Sequence, residues 1–405
     1  MSDLDPVIES LLDPMSLPEF LEGYWEQQPL HLRRRASEHY AGLFGMEELE
    51  QYLFAVKPRG HALRLVARGK PAISFHEQEE APQDVVYEAY RKGYTLNLNG
   101  VHRHWPAVHA LVDAVRRRFR CYANANVYVT GPESQGFSTH HDGHDVFVLQ
   151  TAGRKRWRLY AVQEEYPLEG SETNPRKGQE PLEDGGWGEP VRELELSAGD
   201  LLYLPRGVPH SAVTGDCCSI HVSIGIKPLL MDSVLSALIR SVVARHPHWR
   251  RSVGTVRAEG ARGAPSLQAL AARLEDDLCS LGPLEPLLES LEAQLLRSED
   301  DLGVGPGGYL GTLERLEGLD LDSELECRPG HASVLSRRGE EVTLSFLGGS
   351  MAAPAFCEST LRYIVEHSRF RIGGLPDTLT GEAKVTLCRR LVREGLLRAP
   401  GSSVH

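Results

Sequence analysis

The apolar positions of this chain follow a strand pattern in one stretch and a helix pattern elsewhere. Between residues 121 and 227, short β-rich runs are separated by turns. The clearest of these runs are Asn126–Thr130, Asp145–Gln150, Arg156–Tyr160, Leu201–Leu204 and Ser219–Ile226. Many short strands with turns between them are typical of a sandwich or barrel, and they argue against a doubly wound sheet. The stretch 170–190, rich in Gly, Glu and Pro, predicts a loop between two strands.

Helical patterns flank this β-rich region. On its N-terminal side, segment 17–35 predicts a short helix carrying Phe20, Leu21 and Trp25, followed by an extended run interrupted by a proline. After Pro228, apolar residues recur at helical spacing. These residues are Leu230, Val234, Leu238 and Val242, then Leu267, Leu270, Leu274, Leu278 and Leu281, then Leu284, Leu287, Leu288, Leu291 and Leu295. Leucine-rich helices of this kind either close a core or build an oligomer interface, and the pattern leaves both open.

The last hundred residues predict a small separate module. A Gly-rich stretch at 301–308 precedes it. One helix is expected at about 354–367 and a second at about 381–395, followed by Leu396 and Leu397. The order strand-helix-helix-strand in a short module is the layout of a winged helix. Such modules bind DNA or other proteins, and the mixed charge of this one favours contact with protein.

Composition restricts the protein class without naming a function. The 405 residues include 44 Lys and Arg against 56 Asp and Glu, a net charge of −12, with 41% hydrophobic residues. These values are ordinary for a folded globular protein, and the acidic balance argues against a general nucleic-acid coat. No apolar run is long enough for a membrane helix, and no secretory signal is expected at the acidic start. Seven scattered cysteines without a CxxC pair indicate reduced thiols and a cytoplasmic location.

The densest chemistry lies in the sequence Ser-Thr-His-His-Asp-Gly-His-Asp at 138–145. His140 and Asp142 are two residues apart, so both would project to one side of an extended strand. His210 ends the run Gly-Asp-Leu-Leu-Tyr-Leu-Pro-Arg-Gly-Val-Pro-His, which would deliver a third ligand from a distant strand. Two histidines and one carboxylate form a face that binds Fe(II) and leaves positions open for a co-substrate and dioxygen. We therefore predict that His140, Asp142 and His210 bind a metal ion.

Two neighbouring histidines compete with this assignment. His141 would point away from His140 and Asp142, which favours a structural role or support of the ligands. His144 is an alternative ligand, although its spacing from Asp142 is less typical of a metal site.

At this point the sequence resembles a known family. Residues 131–160 and 199–210 are similar to the JmjC-domain ribosomal oxygenases, the cupin-4 group of protein hydroxylases, and residues 20–34 resemble the opening segment of that family. The resemblance implies an α+β protein with a double-stranded β-helix, the JmjC or cupin barrel, within 1–227. It further implies a helical dimerisation region at 228–308 and a winged-helix-like domain at 309–405, so that the chain is expected to form a homodimer.

The resemblance also implies roles for individual residues. His140, Asp142 and His210 would ligate Fe(II), and Lys155 would pair with the distal carboxylate of 2-oxoglutarate. Asn126 and Tyr128, which share one strand face, match positions that line the co-substrate pocket.

On spacing alone, Lys155 is one more exposed cation and Tyr128 a buried core residue. At Gly225 the family often carries a Ser that assists the 2-oxoglutarate carboxylate, and Ser223 on the same face is the candidate replacement. His221 shares that face and is expected to be structural.

The function implied is a dioxygenase that uses Fe(II), 2-oxoglutarate and O2 to hydroxylate an Arg or His side chain of a ribosomal or other protein. An acidic enzyme would suit a basic protein partner. Direct nucleic-acid binding and membrane association are not expected. Two alternatives are a metal cupin that acts on a small molecule without 2-oxoglutarate, and a non-catalytic protein-binding module.

Overall fold

A computed structural model describes residues 6–34, 36–168, 186–252, 267–297, 309–328, 333–346, 349–367 and 369–400. The chain folds into two compact units, which are divided between Lys227 and Pro228. The predicted Gly-rich linker at 301–308 and most of the predicted loop at 170–190 lie outside the described residues. In the described ranges, no helix is both long and apolar enough to cross a membrane.

The first unit places helices mostly before the barrel strands. Its helices are α1 Pro6–Leu12, α2 Leu17–Gly23, α3 Met46–Ala55, α4 Gln83–Arg91 and α5 Pro106–Phe119. Its strands are β1 Leu30–Leu32, β2 Leu63–Val66, β3 Ile73–Ser74, β4 Thr95–Leu98, β5 Tyr122–Thr130, β6 Asp145–Leu159, β7 Arg192–Ser197, β8 Leu201–Leu204, β9 His210–Val213 and β10 Ser219–Lys227.

These strands form one antiparallel sheet with the order β1-β8-β6-β10-β5-β4-β2-β3, and β7 and β9 also pair with β6. Strand β6 runs unbroken for 15 residues, so the prediction of two separate strands here is wrong. Its first half pairs with β8 and its second half with β7 and β9. Gly153 lies between the halves with a φ of +66°, where a Cβ atom would overlap the carbonyl oxygen of Cys218. Only glycine allows this close crossing.

Alternation of apolar and polar residues along β5 and β10 gives the barrel one apolar and one polar face. In β10, Ile220, Val222 and Ile224 are fully buried in the main core, while His221 and Ser223 face the opposite side. Strand side chains alternate between faces, so the apolar set packs under the helices and the polar set points into the barrel. A smaller apolar cluster that includes Trp157 and Leu196 closes the other side of the barrel.

The N-terminal helices are anchored by aromatic packing. Ser16 and Glu19 form a capping box at the start of α2, which satisfies free backbone N–H groups there. The helix ends at Gly23, earlier than expected, so Trp25 lies beyond it and stacks on Phe119 of α5 with ring centroids 4.6 Å apart. The predicted helix followed by an extended segment is otherwise found, with β1 as the extended part.

The second unit begins with helices. They are α6 Met231–Arg245, α7 Leu267–Cys279, α8 Glu285–Arg297, α9 Tyr309–Glu314, α10 Glu358–Glu366 and α11 Gly381–Arg393. The first three match the helical periodicity after Pro228.

Strands β11 Glu324–Cys327, β15 Arg369–Arg371 and β16 Leu397–Arg398 form one small sheet. Strands β12 Ser333–Arg338, β13 Glu341–Phe346 and β14 Gly349–Pro354 form another.

The start of the helix expected at 354–367 was predicted too early. Pro354 pairs with Glu341 as the last residue of β14, a short 3-10 turn follows, and α10 begins only at Glu358. Proline has no N–H group to donate to a neighbouring strand, but it is tolerated at the end of an edge strand such as β14. The hairpins of β12–β14 also add strands that the simple strand-helix-helix-strand prediction lacked. The winged-helix assignment and the boundary near 308 stay predictions.

Candidate active site

His140, Asp142 and His210 come together in the barrel. Their ligand atoms all lie within 4.8 Å of one another. Asp142 Oδ2 is 4.0 Å from His210 Nε2, and the two imidazole rings have centroids 4.6 Å apart. A distant sequence separation thus becomes a single cluster of two imidazoles and one carboxylate, which is the donor set expected for Fe(II).

The backbone explains how this cluster is assembled. His140 and His210 form an isolated antiparallel bridge with mutual N–H to carbonyl bonds of 3.1 and 2.7 Å. Asp142 lies in an irregular segment before β6, and its carbonyl accepts the N–H of Gly207 at 2.9 Å. The predicted regular strand through both ligands is therefore wrong at Asp142, because the Pro-Arg-Gly turn after β8 binds its backbone instead.

Both histidines are oriented by backbone carbonyl groups. His140 Nδ1 lies 2.9 Å from the carbonyl oxygen of Ser138, and His210 Nδ1 lies 3.0 Å from that of Val208. A carbonyl only accepts, so each Nδ1 carries the proton and each Nε2 presents a lone pair. Histidine ligands of metals are commonly fixed in this way by their second ring nitrogen.

Electrostatics keep Asp142 and His210 in metal-binding protonation states. Burial raises the pKa of Asp142, but His144, His140 and His210 around it outweigh that effect and lower the pKa below its ordinary value. Burial, reinforced by His140, lowers the pKa of His210 to about 4. At neutral pH the cluster therefore contains an ionised carboxylate and, at His210, a neutral imidazole.

The two competing histidines take different positions. His141 is buried against Trp187, with ring centroids 5.8 Å apart, and lies outside the ligand cluster. His144 faces the same cavity as the cluster, yet its nitrogen atoms are not among the converging ligand atoms. Its Nδ1 lies 3.2 Å from the carbonyl oxygen of Asp145.

A cavity of about 980 Å³ contains this cluster. The four residues predicted to contact the co-substrate line it as well: Lys155, Asn126, Tyr128 and Ser223. Asn126 Oδ1 accepts the backbone N–H of Gly100 at 3.0 Å, which orients its amide. Tyr128 stacks on His221 with centroids 4.9 Å apart, and burial raises the pKa of Tyr128 to about 12. Tyr128 therefore offers a neutral hydroxyl group to the cavity.

Lys155 is the least expected of these side chains. It is only 5% exposed, whereas its position between two arginines suggested a surface cation. Its Nζ donates to Thr130 Oγ1 at 2.9 Å, and burial lowers its pKa to about 7. A buried ammonium group without a carboxylate partner is costly, so its presence in a cavity indicates a site for an anion.

Local packing explains why residue 225 is a glycine. A Cβ atom there would lie 2.8 Å from Asn124 Oδ1 and 3.0 Å from His144 Cε1. A serine at this position would therefore require the side chains of Asn124 and His144 to shift. Ser223, which pairs with Asn126 across β5 and faces the cavity, occupies the nearest available position for a hydroxyl group.

Two polar groups that the sequence analysis did not assign to the site also face the cavity. His221 is 3% exposed and Trp157 is 5% exposed, and the His221 Nδ1 and Trp157 Nε1 atoms have no hydrogen-bond partner in the described part of the chain. Burial, then Lys155 and His210, lower the pKa of His221 well below its ordinary value. The alternation of β10 signalled the position of His221, but only the fold shows that its ring lies beside Lys155.

A buried ionic network supports the turn that carries His210. Tyr203 donates to Asp145 Oδ1 at 3.0 Å, and Arg206 reaches Asp145 Oδ2 at 3.4 Å. Asp200 at the other end of β8 accepts the backbone N–H groups of Arg34 and Ser197 at 2.7 and 2.9 Å. The Gly-Asp and Pro-Arg-Gly portions of the motif thus hold the strand at both ends.

Comparison with known proteins agrees with this geometry. A model of the JmjC domain matches residues 98–233, which include every predicted ligand and the buried lysine. Over these residues the chain is similar to JmjC domains. The family resemblance and the barrel fold predicted from the sequence are confirmed.

Solved structures extend the likeness beyond the JmjC domain. The structure of YcfD, a ribosomal oxygenase from Escherichia coli, has a TM-score of 0.60 at 18% identity and covers 96% of this chain and 99% of that one. A second YcfD structure, in complex with cobalt and 2-oxoglutarate, has a TM-score of 0.61 at 18% identity and covers 96% and 99%. At this identity the likeness shows a shared fold.

Curated relatives are similar around the JmjC domain. The bifunctional lysine-specific demethylase and histidyl-hydroxylase NO66 of Drosophila grimshawi is 29% identical over 255 residues, 61% of this chain and 35% of that protein. NO66 of Dictyostelium discoideum is 30% identical over 230 residues, 55% of this chain and 43% of that protein. The chain thus spans less than half the length of these curated relatives.

Proposed function

We propose that this protein is an Fe(II)- and 2-oxoglutarate-dependent oxygenase that hydroxylates a side chain of another protein. The observation that carries the proposal is the convergence of His140, Asp142 and His210 in the cavity that also contains the buried ammonium group of Lys155. YcfD, which shares the fold, has been solved with cobalt and 2-oxoglutarate. The NO66 relatives are named as histidyl-hydroxylases.

The residues present fit the metal. The donor set is the Nε2 atoms of His140 and His210 with the ionised carboxylate of Asp142, and both imidazoles are fixed through Nδ1. Three protein ligands leave further coordination positions open. When bound, iron would supply the redox chemistry that couples dioxygen and 2-oxoglutarate to succinate, carbon dioxide and one oxygen atom in the substrate.

The residues present also fit the co-substrate. Lys155 and the Thr130 hydroxyl group would hold the distal carboxylate through charge-assisted hydrogen bonds. Asn126, Tyr128 and Ser223 would line its flanks. Because burial lowers the pKa of Lys155 to about 7, binding of a carboxylate would draw a proton onto its amine. The protein's part is to bind, orient and shield the reacting groups.

The charge lining the cavity bears on the substrate. Arg64, Arg103, Lys155 and Lys227 line it, and Asp142 is the carboxylate among the lining residues. The acidic net charge of the chain therefore does not extend to this cavity. A guanidinium group would meet these cations unfavourably, whereas a neutral imidazole would not. Of the two predicted targets, Arg and His, we favour His, in a ribosomal or other protein.

The assembly expected from the family also belongs to this proposal. We propose the regions 1–227, 228–308 and 309–405 as barrel, helical dimerisation region and winged-helix-like module. Large apolar side chains exposed on the helices after Pro228 support a homodimer, because such surface usually marks an interface. These side chains are Met231, Leu235, Ile239, Leu267 and Leu270. The winged helix would contact protein, not nucleic acid, and the scattered reduced thiols support a cytoplasmic location.

Anaerobic reconstitution with Fe(II) and 2-oxoglutarate, then exposure to oxygen with candidate ribosomal proteins, tests the proposal. Mass spectrometry should find a gain of one oxygen on a His-containing peptide with the wild type and none with His210→Ala. A cupin acting on a small molecule predicts that Lys155→Ala keeps full activity. A non-catalytic module predicts that His140→Ala keeps full biological function. Either result would replace the proposed function.

A further inference from the structure

A second cluster of histidines and a carboxylate lies in the other unit, at the ends of α6 and α7. His246 follows the last residue of α6, and His248 belongs to the short 3-10 turn at Pro247–Arg250. Asp277 lies in the last turn of α7. His246 Nδ1 is 3.3 Å from Asp277 Oδ1, and His248 Nε2 is 2.9 Å from Asp277 Oδ2. The ligand atoms of all three residues lie within 4.8 Å of one another.

Hydrogen bonds on the far side of His246 define its tautomer. The Ser280 hydroxyl group donates to the carbonyl oxygen of Asp277 at 2.6 Å, so its proton is used there. Ser280 Oγ is then an acceptor for His246 Nε2, 3.1 Å away, which must carry a proton. In the neutral ring Nδ1 is consequently a lone pair. That lone pair faces a carboxylate oxygen, and two acceptors at 3.3 Å repel unless a cation lies between them.

The carboxylate of Asp277 is held in place by the indole N–H group of Trp249, which can donate a hydrogen bond but cannot accept one. Trp249 Nε1 donates to Asp277 Oδ2 at 2.7 Å. Burial raises the pKa of Asp277, but the hydrogen bonds from Trp249 and His248 outweigh it and lower the pKa below its ordinary value. A bound cation would replace the proton between His248 Nε2 and Asp277, which would be released to solvent. In metal sites, hydrogen bonds from residues around the ligands commonly keep a carboxylate ionised and oriented in this way beside an imidazole lone pair.

We propose that His246 Nδ1, His248 Nε2 and the Asp277 carboxylate bind a divalent transition-metal cation, with zinc as the best fit. Zinc accepts imidazole nitrogen and carboxylate oxygen at about 2.0–2.2 Å in tetrahedral geometry, which places neighbouring ligand atoms about 3.3 Å apart. His246 Nδ1 lies at that edge length, 3.3 Å, from Asp277 Oδ1, and His248 Nε2 lies 2.9 Å from the other carboxylate oxygen, Oδ2. Calcium and magnesium prefer sites made of oxygen alone. The three side chains are 15–26% exposed, so water can fill the fourth position.

The bound ion would join the ends of the two helices. The same ends are already connected by Arg245, whose Nη1 donates to the carbonyl oxygens of Ser280 and Leu281 at 3.2 and 3.3 Å. A metal that binds only the folded state adds stability by mass action. The site is therefore structural, and it does not depend on the proposed oxygenase function.

Zinc stoichiometry of the metal-free full chain tests this site. Equilibrium dialysis against Zn²⁺ should give two bound ions for the wild type, one for His210→Ala, one for Asp277→Asn and none for the double variant. In the His210→Ala background, Co²⁺ should produce the visible spectrum of a tetrahedral nitrogen-oxygen site, and His246→Ala should abolish it. His76→Ala, which removes an exposed histidine elsewhere, is the matched control and should change nothing.

Thermal unfolding supplies a second readout. In the His210→Ala background, Zn²⁺ should raise the melting temperature, and His248→Ala should remove that rise while leaving the Trp249–Asp277 bond in place. Circular dichroism of each variant establishes that it is folded. A folded His210→Ala protein that binds no zinc, or a zinc ion in that background that survives both Asp277→Asn and His246→Ala, would overturn the proposal.

Discussion

Replacing Lys155 with Met should stabilise the metal-free protein while damaging co-substrate binding. Lys155 is 5% exposed, and the only described hydrogen bond of its ammonium group is to Thr130. Burial lowers its pKa from 10.5 to about 7. Each pKa unit corresponds to about 1.4 kcal/mol, so charging this lysine in the folded protein costs up to about 5 kcal/mol. Methionine has a similar length and carries no charge.

The pH dependence of the effect follows from the direction of this pKa change. Between pH 7 and 10.5 the unfolded chain binds the proton and the folded chain does not. Stability of the wild type therefore rises with pH across this window and is lowest below pH 7. Urea unfolding of metal-free protein should show Lys155→Met to be more stable than the wild type at pH 6, with the difference shrinking toward pH 10.

The same variant should bind 2-oxoglutarate poorly. Losing a charge-assisted hydrogen bond of about 1.5–3 kcal/mol would raise the KM for 2-oxoglutarate by about 10- to 150-fold. Lys155→Arg is the matched control, because it keeps the cation but changes its shape. A Lys155→Met variant that is equally or less stable than the wild type at pH 6, and that binds 2-oxoglutarate normally, would refute the assignment of a buried anion-binding lysine.

Three further predictions concern the surroundings of the site. Gly225→Ser should lower the free energy of unfolding by about 1–3 kcal/mol in urea titrations, because its Cβ would press on Asn124 and His144; Ser223→Ala should be nearly neutral. His144→Ala should keep the active-site metal in equilibrium dialysis, whereas loss of that metal would make His144 a ligand. Burial raises the pKa of Asp200, but hydrogen bonds from His31, Ser197 and Arg34 lower it overall. Asp200→Asn should therefore destabilise the protein by about 1–3 kcal/mol at pH 7. In unfolding curves the deficit should begin to shrink as the pH falls below 3.8 and should vanish only below the lowered pKa of the folded protein; a constant deficit would contradict this.

Local pattern was sufficient for part of the fold. The strand Leu201–Leu204 and the helix beginning at Gly381 were predicted at their observed boundaries or start. Strand β6 was predicted as two strands, because a glycine such as Gly153 between two β-rich runs suggests a turn. In the structure, Gly153 is a bend within one continuous strand. The predicted helix start near 354 was wrong for a similar reason. Pairing in an edge strand determines the conformation of Pro354, whereas helical periodicity does not.

The metal cluster was predictable from the sequence, because two ligands two residues apart and a distant histidine are the arrangement that a site of two histidines and one carboxylate requires. The role of Lys155 was predictable only through the family resemblance. Its two arginine neighbours suggest an exposed strand, and only the folded barrel shows that the side chain is buried. His221 and Trp157 could not be assigned, because their meaning depends on polar atoms left unpaired by tertiary packing. The cluster of His246, His248 and Asp277 joins two helices across about 30 residues of chain, and no local spacing signals it.

Conversion of 2-oxoglutarate to succinate by the Fe(II)-loaded protein tests the central claim most directly. The wild type should release succinate in the presence of oxygen and Fe(II). Asp142→Ala should release none, and Asp277→Asn should keep the activity, because it lies outside the proposed catalytic site. A wild type that is loaded with Fe(II) and binds 2-oxoglutarate, yet forms no succinate with any ribosomal protein offered, would contradict the account.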